Sequence, residues 1–106
     1  MMQSDPGAGR PGIDKDLSMV ATGIAVLREL ASDPADSKDG ARIYDFSIKW
    51  GVLMSGRLKR LEYYYRAGDL TEYQERRYRE LRRELKEAAS LTEWLGIRPP
   101  TVPLDG

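Results

Sequence analysis

The sequence predicts an all-α fold, a three-helix bundle built on a long antiparallel helical hairpin and followed by a short C-terminal helical turn. Three observations predict it. Apolar residues recur at spacings of three and four along most of the chain, which is the period of one helix face. The run from Arg57 to Gln74 contains both ends of a hairpin, a helix stopping at Gly68 and another starting at Thr71. Only one stretch, from Phe46 to Val52, alternates as a half-buried strand would, and a strand needs a partner that the chain does not offer.

Taken in order, residues 1–12 are polar and rich in glycine and proline, so they have too little apolar surface to offset the entropy of ordering and are expected to be disordered. The helical domain is placed at residues 13–97. Its first helix covers about residues 14–31: Ile13, Leu17, Val20, Ile24, Leu27 and Ala31 share one face, while Met19, Val26 and Leu30 form a second stripe. Asp14 and Asp16 suit its N-terminus, and Gly23 inside it costs up to ~1 kcal/mol against alanine. Residues 32–39 read as a linker dense in caps and turn formers, with Ser37 or Asp39 capping the next helix.

The second helix is placed at residues 40–67. Its main stripe runs through Ile43, Phe46, Trp50, Leu53 or Met54, Leu61 and Tyr64 or Tyr65. Ile48, Val52 and Tyr63 lie on the opposite side, a pattern that predicts a central helix packed between two others, with Gly51 and Gly56 as points of close approach. Gly68 can take the left-handed conformation that closes a helix. Thr71 with Gln74 forms a capping box that opens the third helix, residues 72–89. Leu70, Tyr78, Leu81, Leu85 and Ala88 make its buried edge. Glu72–Arg76, Glu75–Arg79, Arg76–Glu80 and Arg83–Glu87 are spaced for surface pairs worth only ~0.3–0.5 kcal/mol each. Ser90 to Glu93 repeats the capping-box pattern and predicts a short restarted turn carrying Trp94, Leu95 and Ile97. Gly96 and Pro99-Pro100 end it, leaving residues 98–106 as an extended tail.

Composition restricts the chemistry. The chain has no histidine and no cysteine, which removes the commonest general base, the commonest metal ligand, thiol nucleophiles and zinc–thiolate sites. No recognisable nucleophile–base pair remains, so no enzyme activity, cofactor or metal is expected. Asp33, Asp36 and Asp39 lack the glycine and final glutamate of a calcium loop, and no phosphate-loop lysine follows Gly51 or Gly56. Seventeen basic residues balance seventeen acidic ones, so no global field steers the chain to nucleic acid or membrane. Without an apolar run of ~18 residues no membrane span is expected, and a cytoplasmic location is the default.

Candidate binding residues follow from what the helices leave over. Tyr63, Tyr64 and Tyr65 are consecutive, and helical neighbours point about 100° apart, so their rings cannot share one face. Tyrosine suits an interface because its ring buries area while its hydroxyl stays paired. Trp50, Tyr63, Tyr64, Tyr73 and Trp94 are therefore the interface candidates, with ordinary core packing as the alternative. Arg57 falls within an apolar stripe and needs a carboxylate; Glu84 is its expected register-setting partner, and Arg77 has the same need. Residues 57–89 hold ten basic side chains against seven acidic ones. Lys59, Arg60, Arg66, Arg79 and Arg83 are the candidates for an alternative reading as a nucleic-acid-associated protein.

The turn Gly68-Asp69-Leu70-Thr71-Glu72 loosely resembles the turn of short bacterial helical-hairpin modules that append to other proteins and mediate assembly. The likeness covers these residues alone, and Glu75 stands where such modules carry an aromatic or aliphatic residue, so it assigns no family. The expected function is a small non-enzymatic protein-interaction or oligomerisation module. Its partner is itself, as a homodimer, or another protein.

Overall fold

The computed structural model describes residues 12–100 together with Val102 and Leu104. The expectation for residues 1–11 lies outside the described residues. The order is α1 (Ile13–Ser32), α2 (Pro34–Ser37), α3 (Gly40–Leu53), a π-helical turn (Met54–Leu58), α4 (Lys59–Arg66), α5 (Glu72–Glu87) and α6 (Ala89–Leu95). The fold is all-α, and no strand occurs among the described residues; the stretch Phe46 to Val52 is helical. α2 is a single helical turn within the predicted linker, started by Asp33, whose side chain accepts from the Ala35 amide at 2.9 Å.

The central element is α1, which packs against every other helix. That corrects the expectation that the second helix lies in the middle. α1 earns the position through a wide apolar arc: Ile13, Leu17, Val20, Ile24 and Leu27 line one face, and Leu30 extends it around the rod. Gly23 lets α3 come close, since a Cβ there would meet Leu53 Cδ2 at 2.5 Å. The helix-propensity cost of this glycine is therefore offset by packing.

Residues 40–66 form one continuous rod of α3, the π turn and α4. The π turn has a legible cause. Phe46, Trp50, Met54 and Leu58 are all buried and each is four residues from the next. In an α-helix every step of four drifts about 40° around the axis, so three steps would carry Leu58 off the core face. A locally wider turn cancels the drift. Ser55 assists by donating its hydroxyl to the Gly51 carbonyl at 2.8 Å.

The predicted helix ends are in place. Asp39 caps α3, accepting from the Ala41 and Arg42 amides at 3.1 and 3.2 Å. Gly68, at φ 74°, closes α4 while the Asp69 amide donates to the Tyr64 carbonyl at 2.9 Å. The Thr71–Gln74 capping box forms with both bonds, at 3.0 and 3.1 Å. The Gln74 amide nitrogen also donates to Asp14 at 3.0 Å, so one buried side chain caps α5 and ties it to α1. α5 runs back along α4 with the Tyr78 ring 5.0 Å from that of Tyr65.

One expectation for the C-terminus changes. No capping box forms at Ser90; α6 begins without a side-chain cap directly after Ala88, and Thr92 bonds back to the Ala89 carbonyl at 2.9 Å. Beyond Gly96 the chain folds back onto the body of the molecule at Ile97, Arg98 and Val102. Ile97 and Val102 are buried, and the Trp50 indole donates to the Arg98 carbonyl at 3.0 Å.

Candidate interaction surface

The rod of residues 40–66 has two unlike faces. Its inner face, through Phe46, Trp50, Met54, Leu58 and Leu61, is core. Its outer face carries Tyr44, Ile48 and Val52, four residues apart and therefore in one row, exposed by 69, 51 and 68%. Two neighbouring hydroxyls are turned onto the backbone. Ser47 donates to the Tyr44 carbonyl at 2.7 Å, and Ser55 is folded onto Gly51. A Cβ added at Gly51 or at Gly56 would meet nothing within 4 Å. The expected close approach at these glycines is thus absent among the described residues, whereas Gly23 is used. Along one edge of the row, Asp45 and Lys49 form an exposed pair at 3.4 Å.

Two grooves flank this row. One, of about 450 Å³, lies between α1 and α3, with Met19, Gly23, Phe46, Trp50 and Leu53 in its walls and Arg42, Asp45 and Lys49 at its rim. The other, of about 530 Å³, runs along Ile48, Gly51, Val52 and Ser55 to Gly96 and Ile97. The apolar row therefore sits on a ridge between two depressions, a shape that a second helix can follow.

The predicted interface residues are dispersed. Trp50 is 1% exposed and belongs to the core, because the inner stripe of the rod passes through it. Tyr63 on α4, Tyr73 at the start of α5 and Trp94 on α6 are exposed on three different helices. Tyr64 is half-buried, with its ring 5.2 Å from that of Tyr63 and the Arg60 guanidinium 5.8 Å from its centroid. Ile48 and Val52 belong to the predicted opposite stripe of the second helix, and Tyr44 lies in neither predicted stripe. Their common spacing beside Asp45 and Lys49 was the available signal.

The register residues find different partners. Arg57 pairs with Asp16 on α1 at 2.6 Å, and Glu84 pairs instead with Arg28 at 3.5 Å. The reason is the π turn, which brings Arg57 and Arg60 to one buried carboxylate; Arg60 meets Asp16 at 2.7 Å. Arg77 binds Glu80 at 2.8 Å and lies 4.0 Å from Glu84.

A second buried carboxylate, Glu62, stitches α4 to α5. It accepts from the Tyr78 hydroxyl at 2.6 Å and from Arg66, with Arg82 at 3.8 Å. Burial pushes the Glu62 carboxyl up, but the Tyr78 and Arg66 hydrogen bonds and the Arg82 charge outweigh it and hold the group below the usual glutamate range. Burial first, and then the bond to Glu62, pushes the Tyr78 hydroxyl well above its ordinary value, so it remains a donor.

Of the nucleic-acid candidates, Lys59 is exposed on α4, while Arg60 holds Asp16 and Arg66 holds Glu62. Arg79 and Arg83 pair with Glu75 and Glu87 at 2.9 and 3.2 Å, as the spacing predicts, and Arg76 meets Glu72 at 3.1 Å. Arg76 was also expected to meet Glu80, which binds Arg77. Arg79, Arg82, Arg83 and Lys86 gather around a cleft of about 310 Å³ beside Tyr65 and Leu104. No helix among the described residues is long and apolar enough to cross a membrane. No family model matches this chain, and neither a curated protein nor a solved structure shows significant similarity to it.

Proposed function

We propose that this chain is a small non-enzymatic protein-interaction or oligomerisation module that docks through the outer face of residues 40–66. The observation that carries the reading is the exposed row Tyr44, Ile48 and Val52, beside Gly51, where a Cβ would meet no atom of the described residues within 4 Å. An apolar row on a stable helix, bordered by charge, is the usual form of a helix-docking surface. Self-association is the simplest case, with Tyr63, Tyr73 and Trp94 as outlying contacts rather than the centre. The test is solution mass by light scattering. Ile48→Glu is expected to shift the protein toward monomer with its helical circular dichroism unchanged. If the wild-type protein self-associates, a mass unaltered by Ile48→Glu, and equally by Tyr63→Ala with Tyr73→Ala, would sink the reading.

A second reading, association with nucleic acid, draws support from the cleft lined by Arg79, Arg82, Arg83 and Lys86 next to the Tyr65 ring. Against it stand the carboxylate partners of Arg79, Arg82 and Arg83. It predicts oligonucleotide binding that weakens steeply as salt rises, through counterion release. An affinity independent of salt removes it.

A further inference from the structure

We infer that the partner of the Tyr44–Ile48–Val52 face is the same face of a second copy, packed antiparallel about a two-fold axis at Ile48. The inference rests on the docking reading above and adds the occupant and its direction.

The row is symmetric about its own centre. Tyr44 and Val52 each lie four residues from Ile48, so a two-fold axis there sets Ile48 on the partner's Ile48 and Tyr44 on the partner's Val52. An isologous contact of this kind needs a surface complementary to itself. The edges of the row supply that complementarity. An antiparallel two-fold axis brings like edges together, whereas a parallel one brings opposite edges together. One edge holds Asp45 and Lys49, already 3.4 Å apart and both exposed. In the antiparallel arrangement each Asp45 comes within about 3 Å, along the helix axis, of the partner's Lys49, and the two Lys49 come equally near each other, so the edge carries two attractive contacts against one repulsive one. A parallel pair would instead set both charges against the opposite edge, whose groove is bounded by Gly96, Ile97 and Arg98.

That opposite edge holds Ser47, Gly51 and Ser55, all small, with both hydroxyls folded onto backbone carbonyls. Copies of this edge meet without bulk and without an unmet donor, and Gly51 admits the second backbone. Two glycines in a helical rod with no Cβ contact inside the molecule are otherwise a cost without a return.

The experiment uses the absence of cysteine from the chain, which makes any introduced thiol unique. Full-length Tyr44→Cys and Val52→Cys proteins are purified reduced, mixed in equal amounts and oxidised with diamide, and the disulfide-linked dimers are sorted by mass. Antiparallel pairing predicts that the mixed 44–52 product exceeds the half that random pairing gives, and that Ile48→Glu in both chains abolishes the excess. Dominance of like-with-like products overturns the antiparallel inference. If Ile48→Glu still renders the protein monomeric in that case, the docking face stands and only its partner geometry falls. A wild-type mass that stays monomeric at every concentration overturns the inference through its occupant, while the proposed function then requires a different protein as partner.

Discussion

Gly23 and Gly51 both interrupt helices, yet their surroundings differ completely. At Gly23 the space of the missing side chain is filled by Leu53 of the neighbouring rod, and at Gly51 it is open. The same contrast separates the two faces of residues 40–66, the inner one closed by α1 and the outer one ending in exposed Tyr44, Ile48 and Val52. A glycine that packs explains itself within the monomer. One that faces open space beside an apolar row directs attention outward, to whatever the surface meets.

The contrast is easiest to break where it is largest. Trp50→Ala on the inner face is expected to cost about 3–5 kcal/mol in urea unfolding, while Ile48→Ala on the outer face changes monomer stability by under about 0.5 kcal/mol. Comparable losses at the two sites would mean that the faces are not distinct. Next in size, Gly23→Ala should destabilise by about 1–3 kcal/mol, because the new methyl collides with Leu53 in a packed crossing. Tyr78→Phe removes one of the hydrogen bonds to the buried Glu62 carboxylate, which keeps Arg66, and should cost about 1–3 kcal/mol, read in the same unfolding experiment.

The Glu62 cluster also sets an acid limb. The folded carboxyl titrates below the ordinary glutamate range, so the unfolded chain binds the proton first as pH falls. The stability this group contributes is therefore fully present above the ordinary glutamate range and is lost as pH drops through the lower folded value. In Glu62→Gln this limb should flatten, as seen by circular dichroism across an acid titration. An unchanged limb would assign acid sensitivity to another group. The smallest expected effect sharpens the glycine contrast with opposite signs: Gly51→Ala should raise monomer stability by up to about 1 kcal/mol through helix propensity, yet weaken association.

Local signals made much of the fold legible. Gly68, the Thr71–Gln74 box and Asp39 marked helix ends because each meets a need of its own backbone. The π turn was readable in principle, since Phe46, Trp50, Met54 and Leu58 stand at successive spacings of four, a run that an ideal helix cannot keep on one side. What escaped was set by tertiary arrangement. Two apolar stripes on the rod did not say whether a neighbour covers the second one, and α1 took the central place that the stripes suggested for the rod. Arg57 met Asp16 instead of Glu84 because the wider turn rotated it toward α1. Trp50 carried an aromatic's interface propensity, but its place in the inner stripe decided its burial.

The most direct test of the docking face is residue-resolved. Nitrogen–proton correlation spectra of the wild-type protein, recorded from dilute to concentrated solution, report which amides sense association. Shifts or broadening concentrated at Tyr44, Ile48, Gly51 and Val52 are predicted, and they should vanish in Ile48→Glu. Changes confined instead to Tyr63, Tyr73 or Trp94 would contradict the assignment of the outer face of the rod as the contact surface.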